Sequence, residues 1–254
     1  MPLLDHLGEL RRRVTIVVVS LLLCAIVMYA ATPTIIDILF DPVRAVLPPD
    51  ADLTIVTLLG GFTIRFKVAF FSAFIVCTPL LLWEFLGFFL PALKPSEKRW
   101  VVPTVAAMVA LFFFGMIFCY IVIQRAAFGW MIDQTEGFAN VLVNAEDYLN
   151  IEMLLEVGFG IAFELPLVIF YLSILHVVPY SSFRKNWRYV YVGLLLLSGV
   201  VTPDASPVTM LLMFAALVSL YEVALAVARA VISARDGKEA LKWTRQQYEE
   251  RDLS

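Results

Sequence analysis

Three carboxylates in this chain stand where carboxylates are costly or out of keeping with their neighbours. Glu164 falls about midway along an apolar run, with Ile161, Phe163, Leu165 and Leu167 around it. A carboxylate at the centre of a membrane helix costs at least about 2.5–3.5 kcal/mol on insertion scales and marks a functional site by default. Glu156, Gly160 and Glu164 step by four, which lines them up as one polar and small stripe on a helix face. That stripe must face protein or a wet cavity, and Pro166 beside it loosens the backbone. The plainer alternative is a helix–helix hydrogen bond with no role in transport.

Glu9 is the second, in His6-Leu7-Gly8-Glu9-Leu10-Arg11-Arg12-Arg13. The arginines suit an anchor at a membrane face, but an anchor leaves Glu9 without a role. Glu97 is the third, within residues 88–99, a proline-stiffened turn that runs from Phe88 through Pro91 and Glu97 to Lys98 and Arg99. Alone, Glu97 reads as a solvated loop charge. Together, Glu9 and Glu97 place two carboxylates among cationic segments on one membrane face. Each can take a guanidinium in a bidentate pair, so the two could grip two cationic groups.

Enzyme signatures are scarce. His6 and His176 are the only histidines, so no HExxH metal pair exists, and no metal site is expected. Leu197-Ser198-Gly199 lacks the GxSxG setting of a nucleophilic serine. No glycine-rich loop ends in Gly-Lys-Ser/Thr, which leaves no nucleotide or other cofactor to expect. No basic patch suggests nucleic acid. Gly158 and Gly160 fit a close-packing site between helices. Cys24, Cys77 and Cys119 each fall inside an apolar run and read as small packing residues, not a disulfide framework.

The elements that must position these residues are membrane helices. Apolar residues make up 61% of the 254 and charged residues 16%, against roughly 45–50% and about 25% for a soluble domain. Six apolar runs, 14–31, 68–90, 101–123, 153–175, 190–202 and 208–228, use most of the chain. The first is too long for the core of a cleaved signal peptide and reads as a retained helix. Pro79 should kink the second. The last two are short for a hydrocarbon core about 30 Å thick, unless Glu222 is sheltered by protein and the sixth runs on to 228.

Cationic residues sort by the parity of the gaps. Arg11–Arg13 precede the first run; Lys94, Lys98 and Arg99 lie between the second and third; Arg184, Lys185 and Arg188 lie between the fourth and fifth; and six more follow the sixth. The alternate gaps hold only Arg44 and Arg125, with Arg65 and Lys67 flanking the second run. Positive charge in short loops marks the cytoplasmic side. Both termini are therefore expected in the cytoplasm, with six crossings of the membrane. In the first outer gap, 32–64, Pro33, Pro42, Pro48 and Pro49 predict short helices lying over the outer face. The second outer gap, 124–150, mixes apolar and acidic residues. A membrane domain over 1–232 is expected, followed by a polar tail, 233–254, that is a solvated helix or disordered.

At this point the chain resembles a family. His6-Leu7-x-Glu9-Leu10-Arg11-x-Arg13, the turn at 88–99 with Pro91-Ala92-Leu93 and Glu97, Phe159-Gly160-x-x-Phe163-Glu164-x-Pro166, and Thr202-Pro203-Asp204 are similar to motifs of the TatC family, the receptor subunit of the twin-arginine protein translocase. The motifs come in matching order along essentially the whole chain. Residues 59–62, Leu-Gly-Gly-Phe, depart from the polar or acidic stretch of many members. The resemblance implies an all-α membrane protein of six tilted helices forming a concave wall, capped at one end by its outer loops. It implies binding of twin-arginine signal peptides by Glu9 and Glu97, with Arg11, Arg13, Phe88, Lys98 and Arg99 shaping the site. It places Glu164 inside the concavity and has spans five and six contact single-span TatA/TatB-type subunits, with Glu164 and Glu156 as the intramembrane polar residues for partner docking. Pro42, Pro79, Pro91, Pro166 and Asp204 would be structural. Folded proteins would be exported by a homo- and hetero-oligomer drawing on the proton motive force. The competing class is an ion- or proton-coupled small-solute transporter with Glu164 as its coupling site, and a structural scaffold is a third.

Overall fold

The computed structural model describes residues 3–48, 51–89, 101–135, 142–174, 177–202, 206–235, 237–243 and 247. Pro91, Glu97, Lys98, Arg99 and Asp204 lie outside the described residues. The helices are α1 (Leu3–Arg44), α2 (Gly60–Phe89), α3 (Val101–Phe118), α4 (Gln124–Asp133), α5 (Ala145–Ala162), α6 (Leu165–Ile174), α7 (Tyr180–Lys185), α8 (Trp187–Val201) and α9 (Pro207–Arg235). A π-helical segment, Cys119–Ile123, joins α3 to α4, and a 3-10 turn, Lys238–Lys242, follows α9. Two-residue strands β1 (Leu53–Thr54) and β2 (Val143–Asn144) pair in parallel, Leu53 with Val143 and Thr54 with Asn144.

Among the described residues, five helical stretches are long and apolar enough to cross a membrane: Leu7–Arg44, Gly60–Phe88, Val101–Asp133, Ala145–Ile174 and Pro207–Arg235. A sixth, Trp187–Val201, is apolar but only 15 residues long, or about 22 Å. The chain is an all-α integral membrane protein, as the sequence predicts.

Four expectations need correction. The first outer gap does not break into short helices at its prolines, because α1 continues through Pro33 and Pro42 to Arg44. Proline removes the donor that would bond the carbonyl four residues back. At Pro33 that carbonyl is Tyr29 O, and Thr32 Oγ1 donates to it at 2.8 Å instead. The second outer gap is shorter than expected. Helix persists to Asp133, because Gln124, which reads as the start of a loop, is fully buried and hydrogen-bonded inside the protein.

The third correction concerns the sixth span. Helix α9 is 29 residues long, so of the last two spans only the fifth is short. Glu222 does not end the span, because Arg184 Nη1 lies 3.0 Å from its Oε1 and 2.9 Å from its Oε2, and Tyr191 donates its hydroxyl at 3.0 Å. Ser206 Oγ accepts from the Val208 and Thr209 N–H groups at the start of α9, with Pro207 at the first helical position. The fourth correction is in the tail. Helix α9 continues to Arg235, Ala240 in the following 3-10 turn is buried, and Trp243 O accepts from Ser181 Oγ at 3.0 Å.

The chain divides into two compact units, one of Met1–Ala110 with Met131–Met153 and the other of Leu111–Trp130 with Leu154–Ser254. In the first, α1 and α2 form an antiparallel hairpin: Arg13 meets Glu84 at one end, and Cys77 Sγ reaches Ser20 O at 3.8 Å nearer the middle. Its other end is tied by β1 and β2, by Tyr148 donating to Leu39 O at 2.8 Å, and by Lys67 Nζ reaching Glu146 and Asn150 at 2.8 and 2.9 Å. In the second, Phe114, Phe118, Phe159 and Phe163 form an aromatic cluster, and α9 packs on α6 and α8. The three cysteines are free thiols, Cys119 buried and the others partly so.

Candidate functional site

Two polar clusters stand out against the apolar helices, one in each unit. The first lies where the start of α1 meets the end of α2. Glu9 and Arg13 are four residues apart, which puts them one above the other on a helix face. Arg13 donates to Glu9 Oε1 from both Nε (3.1 Å) and Nη2 (2.7 Å). Its remaining arm, Nη1, donates to Glu84 Oε2 at 2.8 Å. All three side chains are partly buried, at 28% exposed for Glu9, 21% for Arg13 and 13% for Glu84.

Gly87, buried and three residues beyond Glu84, makes the arrangement possible. The guanidinium of Arg13 occupies the space that a Cβ on Gly87 would fill. Two carboxylates and one guanidinium leave this cluster with one net negative charge. Both bonds from Arg13 to Glu9 fall on Oε1, so Glu9 presents Oε2 to a further donor.

The structure thus joins two of the residues singled out in the sequence, Glu9 and Arg13, and adds Glu84. Arg11 is exposed, while Phe88 is half-buried on the last turn of α2. Glu84 was legible only as an acid beside Trp83 at the end of an apolar run. Its i+3 relation to a glycine was the available signal. Glu97, Lys98 and Arg99 continue the chain just past α2 but lie outside the described residues.

The second cluster runs along α5. Glu156 is 5% exposed, and its Oε1 accepts from Gln124 Nε2 at 3.1 Å. Gln124 follows directly on the π-helical segment Cys119–Ile123, a local widening of the helix that often accompanies functional positions. At Gly160 an added Cβ would stand 2.7 Å from the Phe112 ring, and at Gly158 one would stand 2.6 Å from Val201. Both glycines are close-packing sites, as predicted. Glu164 sits in a two-residue turn between α5 and α6. Its N–H bonds Ile161 O at 3.0 Å, and its carbonyl accepts from Leu167 and Val168. Pro166 cannot donate to Ala162 O, which accounts for the interruption. Both carboxylate oxygens of Glu164 are buried and, among the described residues, make no hydrogen bond. Such a group is costly unless a partner completes it.

These features define an all-α integral membrane protein with a charged cluster at one end of its first helical hairpin and an uncompleted acid within a span. The comparisons make this specific. The family model for the Sec-independent protein translocase protein TatC matches residues 5–215. The Sec-independent protein translocase protein TatC of Campylobacter jejuni subsp. jejuni is 32% identical, over 92% of this chain and 96% of that protein. The protein of the same name from Deinococcus radiodurans is 29% identical, over 90% of this chain and 86% of that protein. A crystal structure of the twin arginine translocase receptor TatC superimposes with a TM-score of 0.76 at 27% identity, covering 88% of this chain and 99% of that one. The chain belongs to the TatC family. It is a translocase component and not an enzyme, and membership of a protein translocase family removes the support for a small-solute transporter.

Proposed function

We propose that the chain is the receptor of twin-arginine translocation, holding signal peptides through their paired arginines. The observation that carries this reading is the Glu9–Arg13–Glu84 cluster, which already binds one guanidinium between two carboxylates and retains a net negative charge. Glu9 would accept one peptide arginine and Glu97 the other, with Arg11, Arg13, Phe88, Lys98 and Arg99 around them. The membrane is the cytoplasmic membrane with both termini in the cytoplasm, a reading supported by the segregation of cationic residues. Single-span TatA/TatB-type subunits dock along the stripe of Glu156 and Glu164 and against the short α8. The uncompleted carboxylate of Glu164 and the length of α8 support that placement. Assembly is homo- and hetero-oligomeric, and translocation draws on the proton motive force.

Photocrosslinking tests the peptide reading. A signal peptide with a photoreactive residue beside its two arginines should label purified protein near Glu9 and the end of α2, and excess unlabelled peptide should suppress the labelling. Labelling confined to the opposite end of α1, around Asp37 and Arg44, would refute it.

A further inference from the structure

Arg13 is a guanidinium already seated where the proposed ligand's guanidinium would go. Its three bonding nitrogens are divided, with Nε and Nη2 on Glu9 and Nη1 on Glu84. The two sets of bonds are independent, so Arg13 can release one carboxylate while keeping the other. Glu84 is the less exposed acid, and the missing side chain at Gly87 leaves the guanidinium room against α2. Glu9 is the more exposed acid and lies on a face with one oxygen not used by Arg13.

We propose that Arg13 is a resident competitor for the arginine of the signal peptide, and that Glu84 is the acceptor that retains Arg13 when the peptide claims Glu9. This makes Glu84 a specificity-determining residue for peptide binding, although it need not touch the peptide. The proposal rests on the reading of Glu9 as a peptide acceptor given above. The charge balance shows why Glu84 is needed. With Glu84 present, the cluster carries a net charge of minus one and attracts one cation. Without it, Glu9 and Arg13 form a neutral pair that an incoming guanidinium must break with nothing left to hold Arg13. Competition of this kind also filters ligands. Arginine can match the forked bonds it displaces, whereas lysine brings a single ammonium to a site already occupied by a fork.

The test is a set of charge-removing variants of the full chain, purified in detergent, with affinity for a fluorescent Arg-Arg signal peptide read by anisotropy at low and high salt. Glu84→Gln should weaken binding about tenfold, the scale of losing one well-placed charge at an interface. Arg13→Gln should tighten binding several-fold and steepen its salt dependence, because two carboxylates are then uncompensated. The double variant should return to within about threefold of the starting affinity, since the net charge is minus one again and no competitor remains. A purely structural pair behaves differently: both single variants weaken binding and the double variant restores nothing. That pattern, or unchanged affinity in Glu84→Gln, would overturn the proposal. If Glu84→Gln does not accumulate in the membrane, Arg13→Gln decides alone, tighter binding supporting the competitor and weaker binding excluding it. Glu9→Gln is the control for the underlying reading. If it leaves affinity unchanged, the peptide site lies elsewhere. If it abolishes binding while Glu84→Gln does nothing, only the role of Glu84 and Arg13 is lost.

Discussion

Individual residues carry the chemistry, and their environments differ in kind. Glu156 is completed by Gln124, whereas Glu164 has two buried oxygens without hydrogen bonds among the described residues. A group left uncompleted in one chain can be completed by a second. Glu164→Gln keeps one donor and one acceptor and should retain much of the export activity at matched membrane levels. Glu164→Leu should insert at least as well, because it removes an insertion penalty of about 2.5–3.5 kcal/mol, yet lose partner docking. Full export by the Leu variant would mean that Glu164 is only tolerated. For Gln124 the expectation is structural. Gln124→Leu strips Glu156 of the donor seen here and should lower stability by about 1–3 kcal/mol, readable as a drop in thermal unfolding temperature in detergent.

At the scale of elements, close approach and backbone completion decide what the helices do. Gly160→Ala should destabilise by about 1–3 kcal/mol, because its Cβ meets the Phe112 ring in a packed crossing. Gly193→Ala in α8 has open space around it and should be neutral or mildly stabilising by the helix propensity gained. Equal unfolding temperatures for the two variants would contradict the assignment of Gly160 as a packing glycine. The sequence made the apolar runs, the glycine crossing and the stripe on α5 legible, because period and residue size report directly on helix faces. It misjudged α1 because a proline signals a break, while the hydroxyl that compensates for it, Thr32 to Tyr29 O, is a side-chain bond within one turn that residue types alone do not announce. It misjudged α4 and α9 for a related reason. Gln124 and Glu222 look like span-ending residues until their partners, Glu156 and Arg184, are known. Glu84 was missed as a site residue because its role depends on Arg13, which is 71 positions away.

For the whole molecule, the partition of cationic residues supports the proposed orientation. Reporter fusions at Ser96 and Ser182 should report cytoplasm, and fusions at Glu136 and Ala205 the outside. An outside signal at Ser96 would invert the topology and move Glu9 and Glu97 away from any cytoplasmic ligand. The central claim is that paired carboxylates at the start of α1 and just beyond α2 receive a twin-arginine peptide. Its most direct test is the affinity of the purified, full-length protein for an Arg-Arg signal peptide, compared with the Glu9→Lys and Glu97→Lys variants. Removing one partner of a well-formed charge pair commonly costs about 2–5 kcal/mol, so each reversal should weaken binding roughly 30-fold or more while the protein still inserts. A single Arg→Lys change in the peptide should weaken it less. Unchanged affinity in both reversal variants would contradict the account.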